Sequence, residues 1–394
     1  MPSDEVTSSD GAIRSIFGTG LLALDVVRTS LCHAARASAG GTCGNVLIAL
    51  SHLGWTARSI GRLGSGVASQ LILRELKAWG VDTEWASLQP IESAPVYIHD
   101  VGDRNSEHHP HRFSRQCPAC QAWFPAYHPV PAAAVVPFLL MSRPPSVFFV
   151  DRASAASVLL AKEWYEQGTL VFFEPSTVGG DARLFQRMLA HTHVLKYSAE
   201  RARKFRSLLS TSSGPLLEIE TLGAEGLRYR SRFAHQGALT WVFRPAVPAP
   251  AVRDAAGAGD WCSVGIIDRL ARRGLAGLRN ASSVEIAGAL DYGQALASWN
   301  CQFIGARGGM LLTGPNLDRG PWTSPTLDQV VGRAVRDNED SNMLETLRKP
   351  LRDSLCSVCG FPVDNFARDT SKANEYIEVG LPEYSKKCRN IDDN

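Results

Sequence analysis

Apolar positions in the first third of the chain change repeatedly from the spacing of a strand to the spacing of a helix. Residues 11–30 predict a strand with a following turn, and residues 58–64 predict a second strand. Apolar residues at helical spacing over 46–53 predict a helix that Gly54 closes, and 68–79 predict an amphipathic helix. The order strand, helix, strand, helix is typical of a parallel sheet, so we expect an α/β fold.

The pattern changes over residues 91–130. Residues 94–100 alternate like an antiparallel strand, a polar turn covers 102–111, and 112–114 predict a return strand. We expect this hairpin to form a small lid beside the main sheet.

Beyond the lid segment, apolar runs of strand length return. They are typical of strands in a sheet that is covered on both faces, and they lie at residues 146–151, 170–174, 193–196 and 216–221. Two helices are expected at 261–274 and 283–304. From about residue 313 the sequence becomes polar, charged and proline-containing. We therefore divide the chain into a main domain over 1–312 and an appended C-terminal extension over 313–394, which we do not expect in the sheet.

Composition narrows the class of protein. The chain has 394 residues, of which 44% are hydrophobic and 20% charged, as in ordinary globular proteins. A net charge of +2 gives no reason to expect a nucleic-acid partner or a membrane surface. The polar start MPSDE has no signal-peptide pattern, and the apolar stretch 135–150 is interrupted and too short to span a bilayer. We expect a cytoplasmic protein whose cysteines are free thiols or metal ligands.

The segment with the clearest chemistry is DAAGAGD at positions 254–260, followed at once by an apolar run. Gly257 and Gly259 lack side chains, so their backbone N–H groups can approach an anion closely. A helix that starts here would direct those N–H groups at a phosphate, with Asp260 beside it as a general base. The segment thus suggests phosphoryl transfer. An ordinary glycine turn before a buried helix is the alternative, because short glycine motifs have many false matches.

Other short elements flank this loop in a fixed order. They are GG at 40–41 with Asn45, LG at 53–54, GVDT at 80–83 and TLGAEG at 221–226. Together with DAAGAGD, in this order and spacing over roughly residues 14–312, they make the chain resemble the ribokinase/PfkB family of small-molecule kinases.

The resemblance implies a fold and a reaction. The fold would be ribokinase-like, with a central, mostly parallel sheet flanked by helices and a small β lid. The reaction would be ATP-dependent phosphorylation of a hydroxyl on a small sugar or a nucleoside, with Mg²⁺ bridging phosphate oxygens mostly through water. Asp260 would be the base, and the transferred phosphoryl group would lie on the backbone N–H groups of Gly257, Ala258 and Gly259. The acceptor would be held by Asp25, Gly40, Gly41 and Asn45, and the nucleotide site would be lined by Thr221, Gly223 and Gly226.

Departures from the family pattern affect ions and substrate. Ala255 and Ala256 replace two threonines, which puts a monovalent-cation site near Asp254 in doubt. Only Glu200 remains of an N-x-x-E magnesium motif, and Gly66 stands where an aspartate is usual. A sugar or sugar-like acceptor is favoured, a nucleoside is the alternative, and a non-catalytic binding or regulatory protein that retains the fold stays open. The resemblance also suggests a homodimer through the lid, which the extension could block.

Two CxxC pairs stand outside the family pattern, Cys117 with Cys120 and Cys356 with Cys359. Four thiolates are the usual ligand set of a structural Zn²⁺ site. We hypothesise that the extension folds back and shares one zinc with the lid segment. The alternative is two unrelated pairs without metal. A histidine cluster in the lid, at His99, His108, His109 and His111, is expected to be a solvated turn.

Overall fold

The computed structural model describes residues 14–29, 32–86, 94–101, 111–178, 181–209, 214–233, 240–313, 355–359 and 364–365. The strands are β1 (Ser15–Thr19), β2 (Ala23–Thr29), β3 (Cys32–Gly40), β4 (Thr56–Ile60), β5 (Val96–Val101), β6 (His111–Ser114), β7 (Val147–Val150), β8 (Leu170–Phe173), β9 (Val194–Ser198), β10 (Leu217–Thr221), β11 (Gly226–Ser231), β12 (Val242–Pro245) and β13 (Asp364–Asn365). The helices are α1 (Thr42–His52), α2 (Val67–Ala78), α3 (Ala132–Met141), α4 (Ala155–Glu166), α5 (Ala182–Ala190), α6 (Ala199–Ala202), α7 (Ala258–Leu270), α8 (Gly274–Arg279), α9 (Ser283–Asn300) and α10 (Gly308–Thr313).

The main sheet has the strand order β12-β11-β10-β9-β8-β7-β1-β4. Strands β4, β1, β7, β8, β9 and β10 pair in parallel, and β11 and β12 add an antiparallel edge. The sequence prediction of an α/β fold with a mostly parallel central sheet is confirmed. The apolar runs predicted at 146–151, 170–174, 193–196 and 216–221 are β7 to β10.

Side chains from the buried strands alternate between two apolar layers. Ile16, Phe149 and Phe172 pack in one layer with α1, α7 and α9. Their neighbours Phe17 and Phe148 pack in the other layer, against α3 and α4. Because successive residues of a strand face opposite sides, a sheet covered by helices on both faces requires continuous apolar runs.

The second sheet is the lid, with the strand order β13-β3-β2-β5-β6. The expected hairpin is present as the antiparallel pair β5 and β6. The single strand expected over 11–30 is in fact two strands in two different sheets. The chain leaves the main sheet at Gly20, whose φ is +146°, and enters the lid as β2. A Cβ at Gly20 would lie 1.5 Å from Oδ1 of Asp151, so only glycine fits at this crossing.

The described residues 364–365 of the C-terminal extension join the lid sheet and not the main sheet. As β13 they pair in parallel with β3, at Arg36 and Ala37. No helix in the described part of the chain is long and apolar enough to cross a membrane.

Helix α7 begins beside the carboxyl ends of the parallel strands and runs against α9. A Cβ at Gly265 of α7 would lie 2.6 Å from the Cα of Gly293 in α9, so the two helices touch through their backbones. This packing fixes the start of α7 at the edge of the sheet where ligands of open α/β folds bind.

Candidate active site

The loop 254–260 forms the start of α7, as the sequence predicts. Gly257 precedes the helix with φ +74°, a left-handed conformation that favours glycine. A Cβ there would lie 2.4 Å from the carbonyl oxygen of Ala306. The N–H groups in the first turn of a helix have no partner within the helix and carry its positive end. The N–H of Ala258 is 3.2 Å from the carbonyl oxygen of Ala255, which leaves Gly257 and Gly259 better placed to receive an anion.

Asp254 holds this loop in shape. Its buried carboxylate accepts hydrogen bonds from the N–H of Ala256 and of Gly305, both at 2.7 Å. The Nδ1 atom of His99 lies 3.8 Å from the same carboxylate. Since both oxygens of Asp254 accept backbone N–H groups, the residue ties the loop to the segment before α10.

His99 corrects one expectation. It is 2% exposed, stacks on the ring of Phe113 at 4.3 Å and faces Asp254, so it does not belong to a solvated turn. His108 and His109 lie outside the described residues, as does the side chain of His111.

Asp260 lies in the first turn of α7 and meets Asn45 of α1. The Nδ2 atom of Asn45 donates a 2.7 Å hydrogen bond to its carboxylate. Burial raises the pKa of Asp260 from 3.8 to about 7, helped by the charge of Glu174 and opposed by Asn45 and Lys196. A carboxylate with a pKa near neutrality is suited to take a proton from a hydroxyl.

Arg307 fixes the orientation of Asn45, and nothing in the local sequence marks it. Its Nε atom donates to Oδ1 of Asn45 at 3.0 Å, which leaves the amide nitrogen for Asp260. The guanidinium also pairs with Glu75 at 2.7 Å and donates to the carbonyl oxygen of Ala39. Arg307 is 3% exposed, and its Nη1 atom has no hydrogen-bond partner within the described residues.

Asp25, Gly40 and Gly41 lie on the lid side of this network. A Cβ at Gly40 would lie 2.0 Å from Oδ2 of Asp25, and one at Gly41 would lie 2.4 Å from the carbonyl oxygen of Leu21. Burial raises the pKa of Asp25 to about 7, while the charge of Arg307 and the N–H of Gly41 lower it. The structure therefore brings the predicted acceptor residues together with Asp260, through Asn45 and Arg307.

A buried ion pair lies beneath the first turn of α7. Like the contacts of Arg307, it was not predicted from the sequence. The Nζ atom of Lys196 lies 2.6 Å from Oε1 of Glu174 and donates to the carbonyl oxygen of Gly259 at 2.9 Å. Ser263 donates to the other oxygen of Glu174. Lys196 is 1% exposed, so its charge acts on the helix start with little screening by water.

The predicted nucleotide residues lie at the end of β10 and in the turn to β11. Thr221 ends β10, and its hydroxyl is 3.5 Å from the carbonyl oxygen of Tyr197. Gly223 has φ +65° and open space at its Cβ position, whereas a Cβ at Gly226 would lie 2.2 Å from the carbonyl oxygen of Arg244. Glycine is therefore required at 226 by the close approach of β12 to β11. Glu200 is exposed in the short helix α6.

The four cysteines of the CxxC pairs lie together, with Cys117 and Cys120 just after β6 and Cys356 and Cys359 just before β13.

The sequence of the chain matches a known protein family. The sequence profile described as "pfkB family carbohydrate kinase" matches residues 19–312, about three-quarters of the chain. The chain belongs to the pfkB family of carbohydrate kinases. No curated protein matches this pfkB-family chain.

Solved structures similar to the pfkB-family protein include sugar and nucleoside kinases. An uncharacterized sugar kinase from Pyrococcus horikoshii has a TM-score of 0.56 and 15% identity, covering 74% of this chain and 93% of its own. A Burkholderia thailandensis nucleoside kinase in complex with inosine has a TM-score of 0.56 and 19% identity, covering 81% and 96%. A Vibrio cholerae O395 fructokinase in a fructose, ADP and calcium ion bound form has a TM-score of 0.54 and 17% identity, covering 75% and 94%. At these identities the likeness shows the fold.

Proposed function

We propose that this protein transfers the γ-phosphoryl group of ATP to a hydroxyl of a small sugar or sugar-like molecule. The observation that carries the proposal is the position of Asp260. Its carboxylate lies in the first turn of α7, beside Gly257 and Gly259, and is held by Asn45. Phosphoryl transfer needs a base and an anion-binding group close together, and Asp260 and the N-terminus of α7 would supply them.

The proposed reaction proceeds in one displacement. Asp260 accepts the proton of the acceptor hydroxyl as the hydroxyl oxygen bonds to the γ-phosphorus. The bond from that phosphorus to the bridging oxygen breaks, and ADP leaves. The N–H groups of Gly257 and Gly259 stabilise the charge on the transferred group, and Lys196, paired with Glu174, holds the carbonyl oxygen of Gly259 beneath them. The products are the phosphorylated acceptor, ADP and a proton on Asp260.

ATP and Mg²⁺ fit the residues present. Gly259 is exposed and has no side chain, so a phosphate could approach its N–H closely, and Glu174 and Lys196 lie only 3.7 Å and 3.8 Å from its Cβ position. Thr221 and Gly223 would line the nucleotide. Mg²⁺, bound to the phosphates and reached by Glu200 through water, would neutralise phosphate charge.

A monovalent cation does not fit at Asp254. Both of its oxygens accept backbone N–H groups, and Ala255 and Ala256 offer no hydroxyl. His99 lies against the same carboxylate. We propose that the loop keeps its shape through these contacts and without such an ion.

The acceptor site favours a polyol. Asp25 can accept hydrogen bonds from hydroxyl groups, and the guanidinium of Arg307, whose charge acts on Asp25, has one donor, Nη1, without a hydrogen-bond partner among the described residues. Neighbouring hydroxyls on one molecule would satisfy an acceptor and a donor at once.

A nucleoside is the second candidate, favoured by one observation. Phe113 is 57% exposed on the lid and stacks on His99, which faces Asp254. An exposed ring at this edge could stack on a base. The structurally similar Burkholderia kinase was solved with inosine.

Turnover of ATP over a panel of sugars and nucleosides tests the proposal. We expect ADP release with at least one acceptor, and a loss on the order of 10²–10⁴ in rate for Asp260→Asn. Asp181→Asn is the matched control, because Asp181 caps α5 on the surface and asparagine caps helices equally well. Binding of ATP and acceptor with no turnover would instead support a non-catalytic binding protein, and turnover indifferent to Asp260→Asn would count against Asp260 as the base.

A further inference from the structure

The four cysteine sulfurs of the two CxxC pairs form a compact cluster. All four lie within 4.8 Å of one another, with 3.6 Å between Cys117 and Cys359 and 3.6 Å between Cys120 and Cys356. A tetrahedral zinc with Zn–S bonds of about 2.3 Å separates its sulfurs by about 3.8 Å. A disulfide needs about 2.0 Å. The spacing matches sulfurs around a common ion.

The backbone around the first pair has the shape that directs two sulfurs to one point. Cys117 donates its N–H to the carbonyl oxygen of Ala122 at 2.8 Å, and Gln121 donates to the carbonyl oxygen of Cys117 at 2.9 Å. Gln121 has φ +62° and is the one non-glycine residue with positive φ within the described ranges. Such a left-handed conformation is unfavourable for a residue with a side chain and persists where its surroundings require it.

The second pair shows the same kind of turn. The N–H groups of Val358 and Cys359 donate to the sulfur of Cys356. On the first pair, the N–H of Ala122 donates to the sulfur of Cys120. Hydrogen bonds from backbone N–H groups to sulfur stabilise thiolates and orient them as ligands.

The cluster lies partly inside the protein. Cys117 is 0% and Cys356 4% exposed, and both belong to the apolar core near Phe124 and Leu355. Four sulfur ligands select a soft or borderline ion such as zinc, and they exclude Mg²⁺ and Ca²⁺, which prefer oxygen. A site with four protein ligands leaves no open position for a substrate, so its role is structural.

We propose that Cys117, Cys120, Cys356 and Cys359 bind one Zn²⁺, which fastens the C-terminal extension to the lid. The two attachment points lie at opposite edges of the lid sheet. The zinc ligands follow β6 at one edge, while β13 pairs with β3 at the other. Strand β3 continues from Ala37 to Gly40, and β2 beside it carries Asp25. The zinc therefore stabilises the two strands that form the acceptor side of the site.

Metal analysis of the full-length protein purified without added metal tests this proposal. We expect about one zinc per chain, and loss of that zinc in Cys356→Ser and in Cys359→Ser. Cys301→Ser is the matched control, because Cys301 is a half-buried cysteine outside the cluster, and it should keep its zinc. Zinc well below one per chain in the wild type, or a full complement in both cluster variants, would overturn the proposal.

A second measurement applies even where a variant fails to fold. Titration of the wild-type protein with a mercurial thiol reagent should release zinc into a chromophoric chelator in step with the loss of cluster thiols. Replacement by Co²⁺ should give the absorption of a tetrahedral tetrathiolate ion. Disulfides between the pairs, found by mass spectrometry of the non-reduced protein, would contradict it, as would iron in place of zinc.

The link to the lid has its own readout. Removal of the zinc should increase amide hydrogen exchange in β3 and β2 relative to the strands of the main sheet. Unchanged exchange in β3 after zinc removal would show that the metal does not hold the lid. This test depends on no catalytic activity, so it stands apart from the proposed function.

Discussion

The side-chain amide of Asn45 donates a 2.7 Å hydrogen bond to the carboxylate of Asp260, and it joins α1 to the start of α7 across 215 residues of sequence. The other end of the same amide accepts from Arg307. One side chain therefore couples the proposed base to the proposed acceptor side of the site.

The pKa of Asp260 predicts the pH dependence of the reaction. Since burial raises this pKa to about 7, the carboxyl is protonated below pH 7 and cannot accept a proton. We expect kcat/KM to rise with pH through about 7 and then level off. Asp25 has a raised pKa of similar value and would steepen the acid limb. The measurement is kcat/KM from pH 5 to 9, and a rate that is flat between pH 5 and 8 would contradict the assignment.

The pair Glu174 and Lys196 should move this profile in opposite directions. The charge of Glu174 raises the pKa of Asp260, and that of Lys196 lowers it. Glu174→Gln should therefore shift the acid limb to lower pH, and Lys196→Met should shift it to higher pH. Both variants lose the same buried ion pair, so each serves as a control for the other's stability. Shifts of the same sign would show that neither charge acts on Asp260 in this way.

Arg307 is a positioning residue whose loss should affect binding and stability together. Arg307→Met leaves Glu75 buried without its partner, which typically costs about 3–5 kcal/mol. Because the charge of Arg307 lowers the pKa of Asp25, its loss should also raise the pH at which the acceptor KM improves. The double variant Glu75→Gln with Arg307→Met should recover the stability lost in Arg307→Met, but its KM for the acceptor should stay changed. Thermal unfolding and KM across pH measure the two effects, and full recovery of both would indicate a purely structural pair.

Local sequence patterns predicted the glycine turn and the start of α7, because glycine spacing and a following apolar run are properties of one segment. They missed Arg307, Lys196 and Glu174, whose roles arise where distant segments meet. Strand β3 was missed for a different reason. Its sequence CHAARASAG is rich in small residues and lacks the β-branched and aromatic residues that mark strands.

The path of the chain beyond Gly20 could not be predicted from the sequence either. Apolar residues continue on both sides of it, so the pattern does not show that β1 and β2 enter different sheets. The cysteine pairs gave the opposite outcome. The two CxxC motifs, one beside the lid and one in the extension, led to the hypothesis of a shared cluster across 236 residues, and the four sulfurs do lie together.

A potassium requirement should be absent. The oxygens of Asp254 accept N–H groups from Ala256 and Gly305, and the two residues after it are alanines. We expect the rate in potassium chloride to equal that in choline chloride at matched ionic strength. A stimulation of tenfold or more by potassium would show that the loop does hold a cation.

Substitution of Gly257 tests whether steric exclusion, in addition to conformational strain, requires glycine in the turn before α7. Gly257→Ala places a Cβ 2.4 Å from the carbonyl oxygen of Ala306, in a backbone with φ +74°. The loop must shift, so we expect both a large loss of kcat and lower stability. Gly168→Ala is the matched control, since Gly168 has φ +84° but nothing within 4 Å of its Cβ position. It should lose about 1–2 kcal/mol of stability through strain alone and keep its kcat. Steady-state kinetics and thermal unfolding of both variants distinguish the effects, because equal kcat in the two proteins would mean that the shape of the Gly257 turn does not matter to catalysis.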